Sequence, residues 1–484
     1  MHAPLGERAA ARRFLFLTCT RWLPVGLTFG MTVLLPAERG IPLGELGIIL
    51  AVQGIVTLLL EVPTGSVADT WGRRPLLVLA GCLAVLATAL FLLADSLWLF
   101  ALASALQGVY RALESGPLES WYVDTAQAAA PGVAIERTLA RAGTVLGLAL
   151  AGGAVVGGAL VASHPLPHGS ALLLPFLVSL GFSVAHTVFT AVLVREPRHG
   201  SRHGGPVPDG VVPGEGGDGT VPDGVASGIG PDGVVPGEGG DRTARGARES
   251  APAAVGAGTG REPAPGARGM RALLRTTASG LGLLWRSRVL RCLVLVEVFW
   301  ALAMIGFETL TPLRLTDLLG SEASAAALFA PASGAAWALF ATGSWLSGLA
   351  SARWGVATGA MVARVANGIF VVLMGLSAGV IGLLAAYALS YLSHGAAGPL
   401  HNTLLHRCAS SENRSVVLSL NSMVSSGAYS LALLIVLPAA QAWGTGVVLV
   451  ALGALSVLGV VFYLPARRAE REAVPHPRGV VRAS

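Results

Sequence analysis

The chain has 484 residues, 53% of them hydrophobic and only 12% charged, with a mean hydropathy of +0.66. Soluble domains carry about 25% charged residues, so the composition excludes an ordinary water-soluble protein. All 33 basic residues are arginine, and despite a pI near 9.6 they stand singly between apolar runs, which excludes a basic face for nucleic acid.

The chain opens with "MHAPLGERAAARR" followed by an apolar run over 14–35. That run is longer than the roughly 7–15 apolar residues of a signal peptide, and it reads as a first membrane span. A bilayer core of about 30 Å needs about 20 apolar helical residues. Further runs of that size lie at 43–62, 76–94, 97–117, 139–162 and 171–194, then at 289–310, 325–350, 356–376, 379–400, 416–440 and 447–464. Backbone polar groups in lipid must be satisfied within the segment, so each run is expected to be a helix. The fold class expected is therefore all-α integral membrane: twelve transmembrane helices in two six-helix bundles, over 1–194 and 289–464. A connecting loop over 195–288 and a tail over 465–484 complete the chain.

Within the connecting loop, residues 200–269 are dominated by Gly, Pro, Ala and Asp, and "PDGVVPGEGGD" occurs identically at 208–218 and 231–241. So little apolar area cannot offset the entropy of ordering, and disorder is expected there. From Met270, "MRALLRTTASGLGLLWRSRVLR" alternates Arg with Leu and Trp, the pattern of a helix lying along a membrane surface.

Basic residues are retained on the cytoplasmic side. One set of connections holds Arg8, Arg12, Arg13, Arg73, Arg74, Arg137, Arg353, Arg407, Arg414, Arg467, Arg468 and the central loop, whereas the other holds Arg39 and Arg314. Both termini are therefore expected to be cytoplasmic, in a multi-pass protein of the plasma membrane. Cys19, Cys82, Cys292 and Cys408 lie far apart with no C-x-x-C spacing and read as packing residues, so neither metal nor cofactor is expected. No G-x-x-x-x-G-K-[ST] loop is present and no H-E-x-x-H stands in or beside a span. Neither an ATP-driven pump nor an enzyme is expected.

"GSVADTWGRRP", 65–75, places charge and turn-prone residues between the second and third apolar runs. Gly65 and Gly72 allow tight turning, Pro75 suits the first turn of the next helix, and Asp69 stands four residues before Arg73, a spacing that pairs if locally helical. The pattern G-x-x-x-D-x-x-G-R-[RK], met by Gly65, Asp69, Gly72, Arg73 and Arg74, resembles the signature of the major facilitator superfamily of secondary transporters. "YRALESGPLESWYVDTAQ" at 110–127 and "ENRSVVLSLNSM" at 412–423 are similar to further stretches of that superfamily. An echo in the second half, "GLASARWGVAT" at 348–358, repeats Gly65, Trp71 and Gly72 as Gly348, Trp354 and Gly355 at a constant offset. It lacks the acid (Ala352) and the arginine (Val356).

The resemblance implies alternating access, a small-molecule substrate and a monomer in a lipid bilayer. It implies that the island is a cytoplasmic latch, in which the acidic residue lies against span eleven and Arg73 pairs with an acid at the inner end of span four. Asp124 is the first candidate for that acid and Glu119 the second. Drug–proton antiporters carry R-x-x-Q-G in span four; this chain has Ser104, Gln107 and Gly108 there, with Arg111 later. Its Gly-rich run "GLALAGGAVVGG" in span five lacks the antiporters' G-P pair, and close helix packing explains it equally well. Proton-coupled export of a small organic molecule or drug is the leading expectation, and a nutrient importer or facilitator of the same fold is the alternative.

A charge at membrane depth costs about 2.5–3.5 kcal/mol on insertion scales, so it faces a cavity or a partner. Arg21 lies about 10 Å and Glu297 about 12 Å from the same face, and Arg111 about 21 Å from the opposite end of span four, at 1.5 Å per helical residue. Arg21, Arg111, Glu114 and Glu297 read either as one cavity network touching substrate or proton, or as an ionic lock between helices. Glu308, His186, Arg364, His394 and Asn402 are further polar candidates, and Trp22, Trp300, Tyr387 and Tyr391 are aromatic ones.

Overall fold

A chain whose spans cannot hydrogen-bond to lipid must close its backbone bonds locally. The computed structural model describes residues 5–130, 133, 135–163, 169–195, 282, 284–409 and 414–472, with the side chains of 61–70, 136, 140 and 415 excepted. The expectations for 200–269 and for most of 270–288 lie outside the described residues. Among the described residues the regular structure is entirely helical, and eleven helices are long and apolar enough to cross a membrane. A further span, Leu97–Glu114, carries Arg111 and Glu114 within its own length.

In chain order, the first six spans are Glu7–Leu27 continued by Met31–Glu38, Leu43–Trp71, Arg73–Leu93, Leu97–Glu114, Glu136–Ser163 and Leu173–Leu193. Span seven is Arg288–Met304 continued through a π turn, Ile305–Leu310, into Thr311–Leu319. Spans eight to twelve are Glu322–Trp354, Val356–Leu376, Val380–Cys408, Arg414–Trp443 and Thr445–Leu458, the last followed by a 3₁₀ stretch Gly459–Tyr463 and a short helix Leu464–Glu472.

Two boundaries differ from those read in the sequence. The island at 65–75 is not an open turn: helix continues to Trp71, Gly72 alone turns the chain at φ +86, and span three begins at Arg73. Span four stops at Glu114, Gly116 turns at φ +92, and Pro117 starts a separate helix, Pro117–Ala129, at a position where its missing N–H costs nothing.

The glycine run of span five serves close packing. A Cβ at Gly153 would sit 2.6 Å from the Leu23 carbonyl oxygen of span one, and a Cβ at Gly157 2.2 Å from that of Leu27. On the next face, Gly158 leaves room for Pro331 of span eight, in the other half. This matches small residues mediating helix contact in membranes.

The largest apolar core draws on both halves, joining Met31, Leu34, Leu46, Ile49 and Phe176 to Phe307, Leu310, Phe329, Leu433 and Leu437. These residues lie toward the face that carries Arg39 and Arg314. Phe29 stacks on Phe329 at 6.1 Å, and the Gly44 N–H donates to the Gln441 side-chain oxygen at 2.8 Å. Toward the arginine-rich face the core divides. One cluster is built from Ala10, Phe14, Leu17, Trp121 and Tyr122, and a separate one from Leu293, Val356, Leu400, Leu404 and Tyr463. The molecule is thus closed across its arginine-poor face, and its apolar core is split in two beneath.

The closure is directly testable. A Cβ built on Gly54 lies 3.0 Å from Ser430 Cβ, across the two halves. In a background lacking the four native cysteines, Gly54→Cys with Ser430→Cys is expected to form a disulfide under mild oxidation, read as loss of two maleimide-reactive thiols. Thiols that stay free would show that the halves do not meet there.

Candidate functional site

Span one and span four meet through charge. Arg21 Nε lies 2.9 Å from Glu114 Oε2, and the carboxylate is buried while the arginine is partly open. Span six supplies His186, whose Nε2 is 3.8 Å from Glu114 Oε1 and whose Nδ1 is 2.9 Å from the Thr20 hydroxyl. Tyr110 sits one helical turn before Glu114 on the same buried face. Arg111 is exposed, within electrostatic reach of Arg21, Tyr110 and Glu114 and also of Glu308 from the other half. Arg21 and Glu114, two of the four residues read as one network, do pair, and Arg111 lies beside them.

Glu297 does not join them. It belongs to a second cluster, wholly within the other half. Its Oε1 is 3.1 Å from Arg364 Nη2 of span nine and 3.2 Å from His401 Nε2 of span ten. His401 Nδ1 is 2.8 Å from the Tyr463 hydroxyl, and Asn421 of span eleven approaches Nε2 at 3.4 Å. The Arg364 guanidinium lies 3.7 Å from the centre of the Trp300 ring, a cation–π contact, and Trp300 stacks on His394 at 4.6 Å. The single network expected from depth is therefore two. Depth along a helix fixes the level of a charge but not the direction in which it points.

Each cluster holds an arginine, a glutamate, a histidine and a tyrosine. Arg21, Glu114 and His186 stand on spans one, four and six; Glu297, His401 and Tyr463 stand on or just beyond spans seven, ten and twelve, the corresponding helices of the second half. The polarity is reversed, with the carboxylate on span four in one half and on span seven in the other. Arg364 was a candidate from sequence. His401, Asn421 and Tyr463 were not, although a histidine and an asparagine side by side at 401–402 in an apolar span are a readable signal. Among the described residues no group of three or more His, Cys, Asp or Glu side chains is placed to hold a metal.

At the arginine-rich face, Arg73 Nη1 lies 2.6 Å from Asp124 Oδ2 and donates to the Ser120 carbonyl at 2.7 Å. This is the pairing expected for Arg73, made with Asp124. Arg74 is exposed; Gly65 lies in the helix Leu43–Trp71, and the Asp69 side chain lies outside the described residues. In the second half Gly355 repeats the backbone of Gly72, with φ +81, ψ 162 against φ +86, ψ 156. Where that half lacks the arginine, Glu470 accepts from the Val356 and Ala357 N–H groups at 3.0 and 2.9 Å and pairs with Arg407 at 2.7 Å. An anion on the first turn of span nine complements its dipole. A G-x-S-x-G string at 375–379 ends span nine, where the Ser377 hydroxyl donates to the Leu373 carbonyl at 2.7 Å.

The backbone region of Gly72 and Gly355 is open to glycine almost alone. Gly72→Ala and Gly355→Ala should each cost about 1–3 kcal/mol, measured as a fall in melting temperature in detergent. Gly147→Ala, with open space at its Cβ, should not.

A family model for the Major Facilitator Superfamily matches residues 14–365. No curated protein matches the sequence. Among solved structures, the nucleoside transporter NupG (D323A mutant) superposes with a TM-score of 0.70 at 9% identity, covering 94% of this chain and 99% of that one. The human organic anion transporter MFSD10 (TETRAN) superposes with a TM-score of 0.54 at 15% identity, covering 96% of this chain and 100% of that one. At such identities the likeness is one of fold. The chain belongs to the Major Facilitator Superfamily and is a multi-pass membrane transporter.

Proposed function

We propose that this chain is a secondary transporter that works by alternating access and exports a small organic molecule in exchange for protons. One observation carries the reading: each half holds a buried carboxylate bound at once by an arginine and an imidazole. Such a group changes charge by taking one proton, and a change of charge at that depth is expensive unless the surrounding helices move. Arg21, Arg111, Glu114 and Glu297 are the residues assigned to substrate and proton, now with His186, His401 and Arg364 beside them.

In this reading the arginine-rich face is cytoplasmic and the protein lies in the plasma membrane as a monomer. The arrangement closed at the arginine-poor face is then the one open to the cytoplasm. Gly65, Asp69, Gly72, Arg73, Arg74 and Asp124 form the conformational latch, with Asp69 engaging span eleven in the opposite state.

The test is transport in inverted vesicles with a panel of lipophilic cations and organic acids, with and without an imposed proton gradient. Gradient-driven accumulation is expected in the wild type, and Glu114→Gln and Glu297→Gln should each lower its rate by about tenfold or more, about 1.4 kcal/mol. Solute exchange without a gradient should survive. Because removing one partner of a buried pair costs about 3–5 kcal/mol, each variant is first checked for a monodisperse peak in detergent. Accumulation indifferent to the gradient would replace export with facilitation. A gradient that drives solute in the opposite direction would replace it with import.

A further inference from the structure

Arg364 is almost wholly buried, yet only part of its guanidinium is matched. Nη2 reaches Glu297 at 3.1 Å and Nε reaches the Tyr463 hydroxyl at 3.5 Å, whereas Nη1 has no hydrogen-bond partner and no exposed surface. A charged donor left unmatched in the interior carries a desolvation penalty that folded proteins rarely tolerate. Beside it is a cavity of about 40 Å³ walled by Arg364, Glu297, Trp300, His394 and His401, and completed by Asn402 and Asn421, which are only half-buried. A water molecule needs about 10–15 Å³ of such accessible space, so the cavity holds a few waters or a polar group of similar size. It admits the head of a solute and not the whole of one.

The wall is rich in donors for its size. Arg364 offers Nη1, and the amides of Asn402 and Asn421 stand at the more accessible end. The single carboxylate, Glu297, is already held by Arg364 and His401. Arg364 is the guanidinium of the wall and Glu297 its carboxylate, so a second carboxylate entering here meets the unmatched Nη1.

We propose that this cavity is a carboxylate-binding subsite anchored by Arg364, and that it takes the acid end of an organic acid. The groups facing Glu297 are Arg364 from span nine, His401 and His394 from span ten and Tyr463 beyond span twelve, with the uncharged Asn421 from span eleven. The rest of the solute lies past Asn402 and Asn421. This rests on the reading of the chain as a transporter of a small organic molecule and names the class of its solute, but its test needs neither gradient nor vesicle.

Purified full-length protein in detergent is titrated calorimetrically with acetate, butyrate and benzoate, with benzamide as the uncharged match of benzoate, and with chloride and phosphate. Carboxylates are expected to bind, and benzamide at least about tenfold more weakly than benzoate, a difference of about 1.4 kcal/mol. Affinity should fall by a similar factor in Asn402→Leu, which leaves the ion pair intact. It should fall also in the double variant Arg364→Gln with Glu297→Gln, which removes both charges together and spares the fold an unpaired one. Benzamide binding like benzoate, carboxylate binding unchanged in both variants, or no carboxylate binding would each overturn the proposal. Chloride or phosphate binding as tightly as the carboxylates, with the same dependence on Arg364, would make this a site for a free inorganic anion and overturn it too. Binding seen without gradient-driven transport would count against the transport reading and leave the subsite standing.

Discussion

A charge inside a bilayer must find its counter-charge inside the protein. Lipid cannot hydrate Glu114 or Glu297, so each has gathered an arginine and an imidazole from neighbouring helices. These contacts tie spans one, four and six in one half, and spans seven, nine and ten with Tyr463 in the other. Elsewhere within each half apolar and small-residue packing lets backbones approach closely, joined by single hydrogen bonds such as Asn367 to the Ser390 carbonyl at 2.8 Å and Ser179 to the Pro24 carbonyl at 3.1 Å. The two clusters are the places where buried charge adds direction to that packing.

The duplication runs deeper than the sequence echo at 65–75 and 348–358. Arg39 at the end of span one donates to the Leu92 and Ala94 carbonyls that end span three, and Arg314 at the end of span seven donates to the Ser377 carbonyl that ends span nine. A cation on those last carbonyls complements the helix dipole in both halves. Glu38 accepts from Ser170 at the start of span six, and Asp317 accepts from Thr445 at the start of span twelve. Span one breaks after Leu27, and span seven loosens into a π turn at Ile305–Leu310, its corresponding level. Irregular turns of this kind often mark functional sites. The echo was faint because these braces conserve a role with different residues, serine for threonine or aspartate for glutamate.

The halves differ where an exact repeat would have made them equivalent. Arg364 has no counterpart in span three, where Gly81 stands at the same offset and a Cβ would meet the Thr187 side chain of span six. At the arginine-rich face the first half uses the Arg73–Asp124 pair and the second uses Glu470, drawn from the helix after span twelve, to cap span nine. The shared apolar core at the opposite face joins the two halves, and the splitting of that core beneath it leaves each half its own rigid base.

The sequence by itself determined that the chain is a helical multi-pass membrane protein, because run length fixes which segments can span a bilayer. The Arg73–Asp124 pair was legible only through the island's resemblance to its superfamily, which left Glu119 as a second candidate. The sequence also placed Arg21, Arg111 and Glu297 at a similar level, because rise per residue converts position into depth. Only the tertiary structure decided which of them meet. Azimuth on a helix is invisible when apolar residues surround it on every side, since lipid-facing and protein-facing surfaces are equally greasy. Glu297 therefore turned inward to Arg364 and His401 of its own half and not across to Arg21. Tyr463 and Asn421 entered the site for the same reason, their contribution set by helix packing and not by any spacing a reader of the sequence could measure.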